Sequence, residues 1–235
     1  LLVSMPNLRF IDQVTQELSG IMQGGRDYEK VESARLLNPA DYTVNSILGY
    51  ISLNMRLSAD EVLGIAFEYT YNGQVYQVGE FSTDRPDNST ENLYVKLLKG
   101  TAMSSTSPYW HFMMKNAYQL GGGVYNVQKE KFKLNVFYQS DSAGVYQPYI
   151  TEGKIKGQLL LRVLGMDRLD AKQEPYPDGT YDFVDGYTIL PQKGVVILPT
   201  VEPFGKTLAD AFGDPVLAKK YCFQELYDTT AEIGR

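Results

Sequence analysis

Val62–Phe81 reads VLGIAFEYTY, then Asn72-Gly73, then QVYQVGEF. Two runs rich in β-branched and aromatic residues flank an Asn-Gly pair. Both central positions of a type I′ turn need positive φ, which Asn and Gly tolerate best, so the stretch predicts a β-hairpin. Strand alternation places Tyr69 and Tyr71 on one face, with Tyr76 and Phe81 following the turn. These rings serve either cross-strand or core packing, or a partner-binding aromatic patch.

Other strands are predicted on both sides of this hairpin. Ile47–Asn54 (ILGYISLN) and Leu93–Leu98 are short strand candidates, and the polar run Ser82–Asn92 between hairpin and strand is a loop. In Lys131–Gln139 (KFKLNVFYQ), Phe132, Leu134, Val136 and Tyr138 alternate onto one face. Tyr187–Leu190 and Val195–Leu198, joined by Pro191-Gln-Lys-Gly194, form a second hairpin candidate. Helical spacing occurs at Leu8, Ile11, Val14 and Leu18, with Asn7 as the expected N-cap. Ser107-Pro108 predicts a helix running to Leu120 and stopped by Gly121-Gly122-Gly123. Leu159–Leu164 reads equally as a short helix or a buried strand. Pro203–Tyr227 is mainly helical, broken at Gly213-Asp214-Pro215. Strands outnumber helices and short turns join them, which predicts an α+β fold with mostly antiparallel β-sheet and a few helices.

Composition narrows the function. The chain of 235 residues has 43% hydrophobic and 21% charged residues, so it carries enough apolar content for a packed core. It holds 18 Tyr and 10 Phe but one Trp, a balance typical of β-rich chains and contact surfaces. The net charge of −6 lacks the basic footprint of a nucleic-acid binder and disfavours adsorption to anionic lipid. No apolar run approaches the roughly 18 residues of a transmembrane helix, so membrane insertion is not expected. A single cysteine, Cys222, excludes an internal disulfide framework.

Reactive constellations are hard to assemble from these residues. His111 is the sole histidine, so any Ser-His-Asp or Cys-His arrangement has to use it. It lies beside Trp110 in the predicted helix, where a packed side chain is the simpler reading. Cys222 sits between Tyr221 and Phe223, as a small buried thiol would. Nucleotide-loop, nucleophile-elbow and zinc-protease patterns are missing. The acidic, turn-rich stretch with Asp167, Asp170, Glu174, Asp178, Asp182 and Asp185 contains Pro177-Asp178-Gly179, a turn of the kind that gathers oxygens for calcium. Its spacing misses the EF-hand pattern, and Asp-Gly serves any turn, so calcium ligands and solvated turn residues both remain open. A glycosidase pair would need two carboxylates at a defined separation, which nothing in the sequence sets. The sequence therefore assigns no catalytic, cofactor-binding or metal-binding residue and predicts a chain that is not an enzyme.

Several of these stretches, in order, resemble the SprA/Sov family of type IX secretion and gliding-motility proteins. They are LNPADYTVNSILGYISLN (Leu37–Asn54), DEVLGIAFEYTYNGQVYQVGEF (Asp60–Phe81), LYVKLLKG (Leu93–Gly100) and YWHFMMKNAYQL (Tyr109–Leu120). The last third adds VLGMDRLD, PYPDGTYDFVDGYTI, VVILPTVEPFG and YCFQELYD. The resemblance implies a parent that forms a very large outer-membrane β-barrel through which folded cargo leaves the periplasm. It implies that residues 1–235 are one soluble module of that protein, and the opening Leu1-Leu2-Val3-Ser4 fits an excised segment. Expected partners are the remainder of the parent barrel, type IX accessory proteins and secreted cargo. The expected place is the outer membrane, with the extracellular cap favoured over the periplasmic side. The expected role is gating, cargo passage or accessory docking at the barrel's mouth. A cell-surface carbohydrate- or protein-binding domain is the alternative.

Overall fold

Asn72 and Gly73 adopt φ of 51° and 77°, the left-handed pair that a type I′ turn requires. Phe67–Tyr71 pairs antiparallel with Gln74–Val78 across them, in continuous register from Tyr71↔Gln74 to Phe67↔Val78. The hairpin predicted at Val62–Phe81 is therefore present over Phe67–Val78 alone, because Leu63–Ile65 pairs instead with Lys96–Lys99. The structure is a computed structural model and describes residues 4–86, 89–102, 104–139 and 144–228. Leu1–Val3 of the opening, and Asp87 and Asn88 of the polar loop, lie outside the described residues.

Backbone contacts divide the chain into two compact units, residues 1–44 with 51–113 and residues 45–50 with 114–235. The first unit begins with a 3-10 turn at Pro6–Arg9 and helix α1 (Ile11–Glu17). Asn7 does not cap this helix. It lies inside the 3-10 turn, and its side-chain amide donates to Glu17 at 2.9 Å. Pro6 sets a helical φ early but the chain re-extends at Phe10, which delays the α-helix to Ile11. The predicted stripe still packs, since Leu8, Val14 and Leu18 are buried with Met5, Met22, Tyr28 and Tyr94 around them.

Strands β1 (Tyr42–Asn45) and β2 (Tyr50–Leu53) pair, which trims the predicted Ile47–Asn54 strand because Ile47–Gly49 forms the turn. Next come β3 (Leu63–Ile65), β4 (Phe67–Tyr71), β5 (Gln74–Val78) and β6 (Lys96–Lys99). β3 pairs with β6 through a register shift at Leu63/Gly64.

After residues 45–50, the second unit continues with β7 (Ala117–Gln119), and here the sequence expectation fails. Ser107–Leu120 is not a helix: a single 3-10 turn at Trp110–Phe112 is followed by extended chain. Consecutive Trp, His and Phe lose rotamer freedom in a helix. Tertiary pairing then wins, because β7 finds a ladder partner further along the chain. Lys131–Gln139 alternates in burial as expected, but only β8 (Tyr138–Gln139) is paired, to β9 (Tyr146–Gln147). Leu159–Leu164 resolves as helix α2 (Leu160–Val163). The second hairpin forms from β10 (Ile189–Leu190) and β11 (Val195–Ile197), and β11 pairs on its other edge with β7. Gly194 closes this hairpin at φ 61°, where a Cβ would clash with the carbonyl oxygen of Val124. Helices α3 (Lys206–Phe212) and α4 (Pro215–Tyr221) complete the unit. Asp214 caps α4 by accepting from Val216 N–H, with Pro215 at the first helical position.

Two apolar clusters fill this unit. Leu161, Leu164, Met166, Tyr181, Ile189, Val196 and Leu198 form one, against which Phe132, Leu134 and Val136 pack. Ile150, Ile155, Leu160, Leu208, Phe212 and Tyr221 form the other. The fold is thus α+β, built from small antiparallel sheets with short helices. No helix among the described residues is long and apolar enough to cross a membrane.

Candidate partner-binding surface

The β4–β5 hairpin is exposed along almost its whole length, with only Val78 half-buried. Residues directly opposite in a ladder share a face. Phe67, Tyr69 and Tyr71 therefore lie with Tyr76 on one side, and Glu68, Thr70, Val75 and Gln77 on the other. Tyr69 and Tyr76 stack at 5.2 Å between centroids and 16° between planes, and Phe67 lies 6.1 Å from Tyr69. The rings pack across the strands, yet remain open to solvent: Tyr69 is 47% and Tyr71 64% exposed. Phe81, grouped with them in the sequence, instead flanks the 3-10 turn at Ser82–Asp84 and is half-buried. Phe67 takes its place on the aromatic face. Counting back by two from Tyr69 would have found it.

The hairpin's base is held by a charged network. Both guanidinium nitrogens of Arg9 reach the Glu80 carboxylate at 2.8 Å, a forked pair, and the backbone N–H of Tyr94 donates to it at 3.1 Å. Arg85 adds a weaker contact at 3.3 Å and also pairs with Glu91. Arg9 lies over the Tyr94 ring at 5.4 Å. The hydrogen bond from Arg9, more than any other cause, holds the Glu80 carboxyl below its usual range. This network anchors the chain just beyond β5 while leaving the strands themselves bare.

The other candidate residues are placed differently. His111 lies in the 3-10 turn rather than a helix, exposed, with its ring 4.1 Å from that of Phe112. Cys222 ends α4 in the second unit, half-buried against the Phe212 cluster, and burial pushes its thiol pKa up. A thiol held protonated in this way is a poor nucleophile.

The acidic stretch is tied into its own backbone. Asp167, with no exposed side-chain surface, accepts from the N–H groups of Asp178 (2.9 Å) and Gly179 (3.1 Å) and pairs with Arg162 Nε at 3.1 Å. Asp182 accepts from Arg168 N–H at 2.6 Å and from Leu169 N–H at 3.2 Å. Asp170 accepts from Lys172 and Glu174 N–H, and Asp178 from Thr180 N–H. Glu174 and Asp185 are exposed, and Asp185 bridges Ile189 through its backbone. The carboxylates of Asp167, Asp170, Asp178 and Asp182 are thus acceptors for turns. Among the described residues, no group of three or more His, Cys, Asp or Glu side chains gathers as a metal site would require.

The sequence matches no model of a known protein family and no curated protein.

Proposed function

We propose that this chain is a non-catalytic binding module of the type IX protein-secretion translocon, contributing to gating, cargo passage or accessory docking at the mouth of an outer-membrane barrel. The ordered series of SprA/Sov-like stretches from Leu37 to Asp228 supports the pathway. The observation that carries a binding role is the bare aromatic face of β4–β5, held at its base by Arg9 and Glu80. A hairpin that only packed a core would turn those rings inward. The extracellular cap is the favoured location.

A cell-surface carbohydrate- or protein-binding domain is the second reading, since it would use the same face. The Tyr69–Tyr76 stack weighs against sugar, because each ring already covers one face of the other.

Deleting residues 1–235 from the parent protein tests the proposal. Membrane insertion depends on a closed set of lipid-facing strands, so the remaining barrel should still assemble while type IX cargo in the medium falls. Normal export by a stably inserted deletion would reject it. His111→Ala and Cys222→Ala should leave export unchanged, and loss of export from a folded His111→Ala protein would indicate an active site.

A further inference from the structure

We infer that β4 is a docking edge for an extended, basic polypeptide strand, which adds to the hairpin as a third strand. In a two-residue hairpin closed by Tyr71 and Gln74, the ladder bonds are made at Phe67, Tyr69 and Tyr71. The backbone N–H and C=O groups of Glu68 and Thr70 therefore point outward, and no third strand pairs with this sheet among the described residues. Natural edges are usually blunted by bulges, lysines or proline. The neighbouring β3–β6 pair shows such devices, with a register shift at Leu63/Gly64 and lysines at both ends of β6. β4 has none of them, and its register is unbroken. β5 (QVYQV) carries no charged residue and its Gln77, opposite Glu68, is tied through its side chain to Asp84 of the following turn, so the strand charge lies on β4.

Charge selects the occupant. From Leu57 to Asp84 the chain contains Asp60, Glu61, Glu68, Glu80 and Asp84 without one Lys or Arg. Glu80 is neutralised by Arg9 and Arg85, whereas Glu68 stands exposed on the strand itself. An incoming strand meets Glu68 on one face and Phe67, Tyr69 and Tyr71 on the other, so it should alternate Lys or Arg with aliphatic residues. A second copy of this chain fits poorly. It brings the same negative charge, and the four exposed rings offer only about 400 Å² per partner, taking roughly 200 Å² for a whole ring side chain, short of the roughly 800 Å² per partner of a stable interface.

This inference rests on the binding-module reading but not on the secretion pathway. The probe is a synthetic peptide of about nine residues alternating Lys and Val, titrated against the full chain by calorimetry and followed by amide hydrogen exchange. Binding should slow exchange at Glu68 and Thr70 by about tenfold or more, as a newly paired edge requires. Replacing the peptide's lysines with glutamates, or methylating its alternate backbone nitrogens, should weaken binding by about tenfold or more. Thr70→Pro should abolish binding by removing an edge donor, with the Tyr69 and Tyr76 amides still protected to show that the hairpin is intact. Glu68→Gln, which leaves the backbone untouched, should weaken it. Equal binding of the N-methylated peptide, unchanged exchange at Glu68 and Thr70, or protection of those amides by self-association without peptide would each overturn the inference. A failure here, with export lost on deletion, would reject only this edge.

Discussion

Two hairpins in this protein share their sequence logic and differ in their surroundings. In β4–β5 the strands stand in solvent, with Tyr71 64% exposed. In β10–β11 the chain is sealed, with Ile189 at 0% and Ile197 at 1%. Both turns are set locally, by Asn72-Gly73 in one case and by the left-handed Gly194 in the other. The second hairpin gains a third strand, β7, along the edge of β11, and Leu161, Leu164 and Met166 pack with Ile189 and Val196. The first has no such cover among the described residues. A turn motif thus decides that two strands meet, while distant segments decide whether the product becomes core or surface.

The comparison breaks most visibly in the buried hairpin. Ile197→Ala should lower unfolding free energy by about 2–5 kcal/mol, because truncating a fully buried side chain leaves a cavity. Urea denaturation measures this, and a loss under about 1 kcal/mol would mean that β11 is not core. The turn leading into that hairpin comes next. Asp167→Ala strands the Asp178 and Gly179 N–H groups and removes the carboxylate partner of Arg162, so a loss of about 2–3 kcal/mol is expected. Adding calcium should not restore it.

Gly73→Val tests the exposed hairpin. No atom lies near a new Cβ, so the whole effect is backbone strain at positive φ, about 1–2 kcal/mol. Hydrogen exchange should then rise in β4 and β5 while β10 and β11 stay protected. Tyr71→Ala on the open face should change stability by less than about 0.5 kcal/mol, completing the contrast with Ile197→Ala.

Alkaline titration sharpens the same contrast through tyrosine. Burial, the main cause, raises the Tyr181 pKa from 10.0 to about 12, and its hydroxyl donates to the Thr188 carbonyl at 2.6 Å. A folded-state pKa above the unfolded value contributes stability that is complete below pH 10 and lost as pH rises towards about 12. Ultraviolet titration should show a late phase, and Tyr181→Phe should diminish it. Tyr227, also raised to about 12 by burial, and Tyr118, raised by the same cause, should contribute to the remainder.

The legible parts of this protein were those governed by local chemistry. Asn72-Gly73 specified one hairpin, Pro191 to Gly194 the other, and Gly213-Asp214-Pro215 the break between α3 and α4. Positive φ, a missing proline N–H and a capping carboxylate act within a few residues, so a reader of sequence alone can see them. The strand-rich α+β class followed from their sum. Non-local pairing was invisible. Ala117–Gln119 became a strand because Val195–Ile197 offered a ladder from far along the chain, and that gain overrode a helical pattern from Ser107 to Leu120. The candidate surface divides in the same way. Period-two alternation put Tyr69 and Tyr71 on one face, but only the tertiary structure left that face uncovered and removed Phe81 from it. Likewise, sequence could gather Asp167, Asp170, Asp178 and Asp182 into one acidic stretch. Only the folded turns decided that their oxygens face backbone N–H groups, because the direction of a lone pair depends on backbone conformation rather than spacing.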